Sequence, residues 1–547
     1  MLDSGPYSAV VEQRLRLWKE NGFASRIWQK DPTIWTSDVS TKEITDRLGW
    51  LNLPDTMQDQ IGDIKAFAEK VRHQDYKHVV LLGMGGSSLA PAVFQDTFGN
   101  SKGYPELSVL DSTHPAAIKS LGERIEPLKT LFLVSSKSGT TLETATLFSY
   151  FWDTVSKQSH EAGKNFVAIT DPGSPLEQLA KDRQFLSTFL APPDVGGRYS
   201  AMTVFGLVPA ALIGIDIDWI LNRARQMAKA CGSRSEPSEN PGLMLGAILG
   251  ELANAGRNKI TFVTDSELSA VPLWLEQLIA ESTGKNGKGL VPVAGEITGP
   301  TEVYGQDRVF IELALSHPGR KKPEIMESIA SAGHPVLRIN FDELADLGPE
   351  FYRWEVAVAS AGAILGIHPF DQPDVQLAKD LAKKAMESAG KTSRDSNDTL
   401  SLSRKAELLS ALDTLLKQSR AGDYCALQAY LSPDPRISAG LEGIRNALRD
   451  RLHIATTVGY GPRFLHSTGQ LHKGGPNTGI FIQFTDQTVD DLMVPGKNFS
   501  FSTLIRAQSE GDYQALKKRG RRILRINLGE DAADALVQFA SLLDSLK

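Results

Sequence analysis

The chain has 547 residues, which is too long for a single hydrophobic core and predicts about two to four folded units. Its 41% hydrophobic and 23% charged residues are typical of globular proteins and exclude a disordered chain. The net charge of −6 and the absence of a long basic run argue against a broad nucleic-acid-binding surface, so we expect no nucleic-acid partner.

Cysteine content and hydropathy restrict the protein class further. The two cysteines, Cys231 and Cys425, are far apart in sequence, which excludes a disulfide framework and a cysteine-based metal site. The first residues lack a basic segment followed by an apolar run, and no uninterrupted apolar window of about 18 residues occurs. We therefore expect no signal peptide, no membrane span and a cytoplasmic location.

The first glycine-rich turn follows a helical segment that we predict over residues 1–75. The apolar run Lys77–Gly83 is typical of a buried parallel strand, and it leads into Met84-Gly-Gly-Ser-Ser, which opens a helix. A strand–glycine–helix turn presents free backbone N–H groups to an anion, so Gly86 and Ser87 are candidate ligand-binding residues. The pattern is not Gly-x-Gly-x-x-Gly, which makes a dinucleotide site a weak interpretation.

A hydroxyl-rich loop follows the predicted strand 130–136 and precedes a predicted helix. Its hydroxyl groups belong to Ser136, Ser138, Thr140 and Thr141. Plain helix capping is one interpretation, because serine and threonine are favoured caps. One cap needs one hydroxyl, however, and four of them beside Lys137 favour a phosphate-binding loop. No Walker A sequence occurs, which argues against a nucleoside triphosphate.

Glu281 and Arg198 each lie next to a turn that contains glycine. Val271–Ala280 has apolar residues at helical spacing and delivers Glu281 to a turn rich in Ser, Thr, Gly and Lys. Glu281 either faces a ligand there or is a solvent-exposed residue near the C-cap glycine Gly284. Arg198 follows two glycines, which let a backbone approach closely, so it either points into a cleft or lies on a surface loop.

Five stretches together, in order and spacing, resemble the glucose-6-phosphate isomerase family across about residues 76–385. They are Gly83–Leu89, Ser136–Glu143, Gly196–Ser200, Gln277–Lys285 and Phe370–Lys379. The resemblance implies an α/β fold class with two sugar-isomerase (SIS) domains, 76–225 and 226–385, each a parallel sheet flanked by helices.

The resemblance also implies roles for individual residues. Glu281 is the expected general base that carries a proton between C2 and C1, Arg198 lies near the enediolate, and Lys379 is associated with ring opening. The expected phosphate and sugar contacts are Ser87, Ser136, Lys137, Ser138, Thr141, Gln277 and Gln372. The implied activity is aldose–ketose exchange between glucose 6-phosphate and fructose 6-phosphate, without a metal or cofactor. The chemistry fits these residues, because it needs a tuned base and a permanent positive charge beside the developing anion.

The chain departs from the family at the ring-opening histidine. The family often has Gly-Gln-His where this chain has Gly305-Gln-Asp, which puts Asp307 in the place of the histidine. Aspartate has an ordinary pKa near 4. Either the surroundings raise the pKa of Asp307, or another group opens the ring, or ring opening is slow. Within the last stretch, Asp374 and Gln376 replace the usual Gly and Glu.

A third unit follows a turn-rich segment, 386–403, that we interpret as a linker. Residues 404–547 resemble a repeat of the second unit, because Leu465–Gly474 parallels Ala280–Gly289 and Ile523–Asn527 parallels Val336–Asn340. Family relatives that carry such a tail are fused to a transaldolase, for whose barrel this chain has no room.

In that register His466 takes the place of Glu281, so the third unit is expected to be structural or interfacial rather than a second catalytic centre. His466 and His472 are either ordinary loop histidines or, folded over the cleft, one of them replaces the missing ring-opening histidine.

Two other functions compete with the leading one. One is a broader isomerase that also accepts mannose 6-phosphate, and the other is a non-catalytic sugar-phosphate sensor. A sensor needs a phosphate loop but no base, so the joint presence of Glu281, Arg198 and Lys379 argues against it. The resemblance implies a homodimer that completes the cleft across its interface, although the third unit could partly replace that contact.

Overall fold

The computed structural model describes residues 5–41, 43–316, 323–388 and 398–546. The chain begins with a helical segment whose helices are α1 (Ser8–Glu20), α2 (Phe23–Trp28), α3 (Leu53–Thr56) and α4 (Gln58–Arg72). In α1 the residues Val11, Leu15 and Trp18 are buried, as their helical spacing predicts. Helix α1 is tied to the second unit by an ion pair between Arg14 and Glu251, with Nε and Oε1 2.6 Å apart.

The first unit is a five-stranded parallel sheet with the strand order β2-β1-β3-β4-β5. Its elements are β1 (His78–Leu82), α5 (Leu89–Phe98), β2 (Glu106–Leu110), α6 (Pro115–Arg124), β3 (Thr130–Ser135), α7 (Leu142–Ser156), β4 (Phe166–Thr170), α8 (Pro175–Asp182), β5 (Ser187–Leu190), α9 (Val204–Leu212) and α10 (Ile217–Ala230). Strands β3 and β4 are buried along their whole length, which explains their nearly continuous apolar sequences.

The second unit is a four-stranded parallel sheet with the order β7-β6-β8-β9. Its elements are α11 (Pro241–Asn254), β6 (Lys259–Thr264), α12 (Val271–Thr283), β7 (Val291–Val293), β8 (Arg308–Leu315), α13 (Glu324–Ser331), β9 (Val336–Phe341), α14 (Leu347–Leu365) and α15 (Gln376–Ser388). Helices α11 and α14 pack against each other, and both are apolar nearly all round because they are buried.

The third unit is again a parallel sheet, with the order β10-β14-β13-β11-β12. Its elements are β10 (Thr399–Ser401), α16 (Lys405–Leu416), β11 (Tyr424–Tyr430), α17 (Pro435–Leu452), β12 (Ala455–Tyr460), α18 (Gly469–Gly474), β13 (Gly479–Thr485), α19 (Phe501–Lys518), β14 (Arg522–Asn527) and α20 (Ala532–Ser545). The orders β12-β11-β13-β14 and β7-β6-β8-β9 correspond strand by strand, as expected for a repeat of the second unit.

One of the two motif matches behind the predicted repeat is wrong. Val336–Asn340 and Ile523–Asn527 lie on β9 and β14, the corresponding strands. Leu465–Gly474, however, lies between β12 and β13, whereas Ala280–Gly289 lies between β6 and β7. His466 is therefore not the counterpart of Glu281.

The two glycine turns instead pack against each other. The N–H of Gly287 donates to the carbonyl of Gly474 at 2.9 Å. A Cβ added at Gly284 would lie 2.3 Å from the Cα of Leu471. The glycines of both turns are needed for this close approach between the second and third units, and not for a duplicated function.

Regular structure extends into the predicted linker 386–403 from both sides. Helix α15 continues to Ser388, residues 389–397 lie outside the described residues, and β10 already pairs with β14 in the third sheet. Helix α15 packs on α19, where a Cβ at Gly511 would be 2.7 Å from the carbonyl oxygen of Ala378. The strands of the first two sheets fall within the predicted units 76–225 and 226–385, whose limits stay predictions.

The third unit shares a hydrophobic core with the first. Val494, Phe501 and Leu504 belong to the same buried cluster as the residues beneath α6 and α7. Phe501 meets Tyr150 of α7 edge to face, with ring centroids 6.0 Å apart. Burial of these side chains makes the docking of the third unit on the first part of the folded core.

Within the described ranges, no helix is long and apolar enough to cross a membrane. Cys231 and Cys425 are both buried and free.

We expect the Phe501→Ala substitution to lower the free energy of unfolding by about 3–5 kcal/mol, because it leaves a cavity between the first and third units. Urea titration of the purified variant measures this loss. Val489→Ala, in the loop before α19, removes a side chain that is 72% exposed and should change stability by less than about 0.5 kcal/mol. Equal losses in both variants would show that the shared core does not stabilise the docking.

Candidate active site

Glu281 lies in the last turn of α12, where the three units meet. Its side chain is 13% exposed, so it is not the solvent-exposed residue that the alternative interpretation required. Its Oε2 accepts a hydrogen bond from Nε2 of Gln277 at 3.1 Å, and its Oε1 lies 3.6 Å from Nη1 of Arg198. Gln277 is one helical turn earlier on the same face, which fixes the direction of the carboxylate.

Arg198 is buried and its guanidinium is held from several sides. It donates from Nε to Oγ of Ser282 at 2.8 Å and from Nη1 to Oε1 of Gln372 at 3.0 Å. Nη2 donates to the backbone carbonyls of Pro369 and Asp371 at 2.7 and 2.9 Å. Arg198 is therefore not a surface-loop residue: it points towards Glu281 and joins the first unit to two segments of the second.

The loop that carries Arg198, here called the arginine loop, packs against the first glycine-rich turn. A Cβ at Gly86 would lie 2.0 Å from the carbonyl oxygen of Gly197, which a side chain cannot occupy. Ser87 ends this turn and is buried, and its carbonyl accepts a hydrogen bond from Oγ of Ser135 at 3.0 Å. The backbone at Gly86 and Ser87 is therefore packed between strand β3 and the arginine loop.

Lys285 supports the segment that carries Gln372. Its buried ammonium donates to the carbonyl of His368 at 2.6 Å and to Oδ1 of Asp371 at 2.7 Å. Burial, together with the charge of Arg198, lowers the pKa of Lys285 to about 7. Lys285 and Arg198 thus hold the segment that carries Gln372.

The hydroxyl loop does not cap its own helix. Oγ of Ser136 and Oγ1 of Thr141 are 3.0 Å apart, and Oγ of Ser138 and Oγ1 of Thr140 are 2.9 Å apart. Thr141 is the N-cap residue of α7, yet its side chain accepts no capping hydrogen bond. The plain capping interpretation therefore fails for Thr141, whose side chain leaves the start of α7 uncapped.

Lys137 is directed differently from the hydroxyl groups around it. Its ammonium pairs with Oδ2 of Asp171 at 2.5 Å and contacts the carbonyl of Pro193 at 3.4 Å. Burial lowers the pKa of Lys137 despite this partner. The ion pair holds the loop within the first unit, so a direct phosphate contact by Lys137 would compete with Asp171.

The third unit brings His466 to the same cleft. The backbone carbonyl of His466 accepts a hydrogen bond from Nε2 of Gln277 at 2.8 Å, and its ring Nε2 lies 3.1 Å from Oε1 of Glu143. Burial acts to raise the pKa of Glu143, but the charge and hydrogen bond of His466 and the charge of Lys379 lower it below the ordinary value. Lys379, in the first turn of α15, thus acts electrostatically on the same carboxylate.

His472, the other histidine of this motif, lies apart from the cleft. It is buried in the third unit, where its Nδ1 is 3.3 Å from Nε2 of Gln428. Burial and the nearby charges of Lys473 and Arg521 lower its pKa well below the ordinary value. Of the two histidines, only His466 is positioned to meet a substrate.

Asp307, which stands in the sequence where the family often has the ring-opening histidine, is engaged in an ion pair. Asp307 precedes β8 and pairs with Lys259, its Oδ2 lying 3.1 Å from Nζ. Lys259 also donates to the carbonyl of Gly422 at 2.5 Å, which ties this corner to the third unit. Asp307 therefore belongs to a buried contact between units, whereas His466 occupies the cleft beside Gln277.

Several residues of the site were not singled out from the sequence. Glu143 ends the recognised stretch Ser136–Glu143, so its motif was available as a signal, but its function as a partner of His466 was not. Ser282 and Lys285 lie in the stretch around Glu281 and hold Arg198 and the Gln372 segment. Their roles depend on side-chain directions that the sequence does not encode in a recognisable pattern. In the part of the chain that the structure describes, no group of three His, Cys, Asp or Glu side chains could hold a metal ion.

Comparison with known sequences identifies similar proteins. A family model described as phosphoglucose isomerase matches residues 51–305. The glucose-6-phosphate isomerase of Rubrobacter xylanophilus is 28% identical over 421 residues, which span 68% of this chain and 96% of that protein. The glucose-6-phosphate isomerase of Carboxydothermus hydrogenoformans is 31% identical over 404 residues, which span 62% of this chain and 86% of that protein.

Solved structures share the fold. A hypothetical protein from Thermus thermophilus superposes with a TM-score of 0.61 at 24% identity, covering 70% of this chain and 99% of that chain. A glucose-6-phosphate isomerase from Chlamydia trachomatis superposes with a TM-score of 0.53 at 19% identity, covering 72% of this chain and 81% of that chain. At these identities the superpositions establish a common architecture.

Glu276 makes the stability of the folded protein depend on pH. It precedes Gln277 in α12, and burial raises its pKa to about 7, although Arg463, Arg445 and the Ser467 hydroxyl act to lower it. The folded state therefore holds this proton more tightly than the unfolded state, whose glutamate titrates near 4.5. The contribution of Glu276 to stability falls as pH rises from about 4.5 to 7, and the full penalty remains above pH 7.

We expect Glu276→Gln, which mimics the protonated carboxyl group, to raise the free energy of unfolding at pH 8 by up to about 3 kcal/mol. The same substitution should have little effect at pH 4.5. Urea titration at both pH values measures the difference, with Glu20→Gln on the exposed face of α1 as control. A stabilisation independent of pH would contradict the raised pKa.

Proposed function

Because this chain belongs to the phosphoglucose isomerase family, we propose that it interconverts glucose 6-phosphate and fructose 6-phosphate. The observation that carries the proposal is the pairing of Glu281 with the buried Arg198, 3.6 Å apart between Oε1 and Nη1. A sugar-phosphate sensor has no use for a carboxylate held beside a permanent cation in its cleft. Proton removal beside a carbonyl needs both groups.

Glu281 acts as the general base in this proposal. In the open-chain aldose it removes the proton from C2, and it returns that proton to C1 of the enediol intermediate to give the ketose. Gln277 holds Oε2, so Oε1 is the oxygen expected to exchange the proton. The opposite reaction uses the same carboxylate in reverse order, which is why one base suffices for both directions.

Arg198 stabilises the negative charge that develops on the sugar oxygens. Its guanidinium remains protonated and does not compete as a base. Its position is fixed before substrate binds, because Ser282, Gln372 and two backbone carbonyls hold it. A charge that needs no reorganisation during the reaction contributes most to lowering the barrier.

The hydroxyl loop binds the phosphate of the substrate in this proposal. Ser136, Ser138 and Thr141 supply hydroxyl donors, and the first turn of α7 supplies backbone N–H groups. Ser87 and the backbone at Gly86 lie on the neighbouring turn of the same sheet edge. Gln277 and Gln372, which already contact Glu281 and Arg198, are the expected contacts of the sugar.

His466 opens the sugar ring in this proposal. Ring opening breaks the C1–O5 bond, takes a proton from the O1 hydroxyl and delivers one to O5. Glu143 engages Nε2 of His466, so Nδ1 is the nitrogen left to exchange a proton with the substrate. Lys379 belongs to the same group through its charge on Glu143.

The predicted homodimer stays a prediction. Glu281, Arg198, Glu143 and His466 all come from one chain, and His466 comes from the third unit. We therefore propose that this unit supplies in the same chain what a second subunit would otherwise add to the cleft. Activity per chain should then be independent of protein concentration.

We expect Glu281→Gln to lower kcat by about 10³-fold, because the amide keeps the shape of the side chain but cannot accept the proton. Conversion of fructose 6-phosphate to glucose 6-phosphate, followed with a coupled dehydrogenase, measures the rate. Glu302→Gln, on the exposed surface, should leave kcat unchanged. A Glu281→Gln variant with more than a third of normal turnover would remove the base assignment, whereas an inactive native protein would refute the proposed function itself.

We expect His466→Asn to slow the enzyme-catalysed interconversion of the two glucose 6-phosphate anomers by about 10²-fold, since this exchange requires ring opening. Two-dimensional exchange NMR measures it directly. His73→Asn, at the C-cap of α4 and with an imidazole that is 78% exposed, is the matched control. Unchanged anomer exchange in His466→Asn would mean that another group opens the ring.

A further inference from the structure

A second residue of the third unit reaches Glu143. Nε2 of Gln508 donates a hydrogen bond to Oε1 of Glu143 at 2.7 Å, the same oxygen that faces Nε2 of His466. Gln508 lies on α19, is 5% exposed and has no counterpart among the motifs recognised in the sequence. The carboxylate of the first unit is therefore held by two side chains that both come from the third unit.

The orientation of the Gln508 amide is determined by its two neighbours. Its Oε1 accepts a hydrogen bond from Oγ1 of Thr113 at 2.8 Å, and Thr113 is fully buried. An ionised carboxylate can only accept hydrogen bonds, so the amide must turn its NH₂ group towards Glu143 and its oxygen towards Thr113. Thr113 thus donates to Gln508 and Gln508 donates to Glu143, while His466 donates to the same carboxylate from its ring Nε2.

We propose that Gln508 is a positioning residue for ring opening, which holds the carboxylate of Glu143 in the place and orientation that His466 requires. The proposal rests on the proposed function, because it gives Gln508 its effect through the ring-opening pair. Gln508 acts through Glu143, with which it makes its hydrogen bond.

Two physical effects follow from this hydrogen bond. Glu143 is buried, so a charged form without donors would be costly, and each donor to a carboxylate favours the ionised form. The same bond restricts rotation of the carboxylate, which keeps Oε1 directed at the imidazole. Without Gln508, Glu143 would hold its proton to higher pH and would orient His466 less well.

Polar and titratable groups from the second and third units face Glu143. His466 and Gln508 come from the third unit, Lys379 comes from α15, and Tyr430 of β11 is close enough to Glu143 for its own pKa to be affected. Burial raises the pKa of Tyr430 well above the ordinary value, so it stays neutral in the working pH range. His466 and Lys379 are the charged partners against which the effect of Gln508 must be measured.

The first experiment compares Gln508→Met with the native enzyme by exchange NMR of the glucose 6-phosphate anomers over a range of pH. We expect the rate of anomer exchange at neutral pH to fall about tenfold. The acid limb of its pH profile, where the rate falls because Glu143 takes up a proton, should move up by about one pH unit, because a hydrogen bond to an ionised carboxylate is lost. Gln514→Met is the matched control, since Gln514 lies on the same helix and pairs with Glu510. It should change neither quantity.

A double-variant comparison separates positioning from a purely structural role. If Gln508 acts through Glu143, then adding Gln508→Met to Glu143→Gln should lower anomer exchange by less than about twofold beyond Glu143→Gln alone. If Gln508 only stabilises the contact between units, the two losses multiply, and the acid limb of Gln508→Met stays where it is in the native enzyme. Either of these results overturns the proposal.

Gln508→Glu provides a second variant of nearly the same volume, in case the methionine variant does not fold. Two carboxyl groups in contact share a proton, so the acid limb should move up by more than in Gln508→Met. An unshifted acid limb in a folded Gln508→Glu variant contradicts the inference. A native protein that does not isomerise the substrate would instead refute the proposed function, so the two failures are distinguishable.

Discussion

The guanidinium of Arg198 is the group on which the rest of the site depends. It is buried and donates hydrogen bonds to Ser282, to Gln372 and to the carbonyls of Pro369 and Asp371. Glu281 lies 3.6 Å from its Nη1. A buried cation is stable only when its donors are satisfied. The loop after β5, the end of α12 and the segment before α15 must therefore meet, and the cleft is the place where they do so.

The third unit completes this cleft from the opposite side. It places His466 and Gln508 on Glu143, and its core is continuous with that of the first unit through Phe501 and Leu504. The apolar contact and the polar contact depend on each other, because a buried carboxylate needs its donors and the donors need a docked helix to carry them. Protein stability and the geometry that we propose for ring opening thus depend on one interface.

Much of the fold could be predicted from the sequence, because apolar runs and helical spacing are local patterns. The strands that begin at His78 and Thr130 and the helix before Glu281 were predicted in this way. Short β7 (Val291–Val293) and the half-buried β5 (Ser187–Leu190) were missed, since neither has a distinctive pattern. The match of Leu465–Gly474 to Ala280–Gly289 failed because a shared turn composition reports backbone shape and not position in a topology.

By itself the sequence determined the fold class, the family and the residue types at Glu281, Arg198 and the hydroxyl loop, because these lie in short contiguous motifs. Only the tertiary structure decided that Asp307 pairs with Lys259, that Lys137 pairs with Asp171, and that His466 reaches Glu143. The two members of that last pair are separated by 323 residues. Contacts at such separations follow from how sheets and helices dock, which no local pattern of residues specifies.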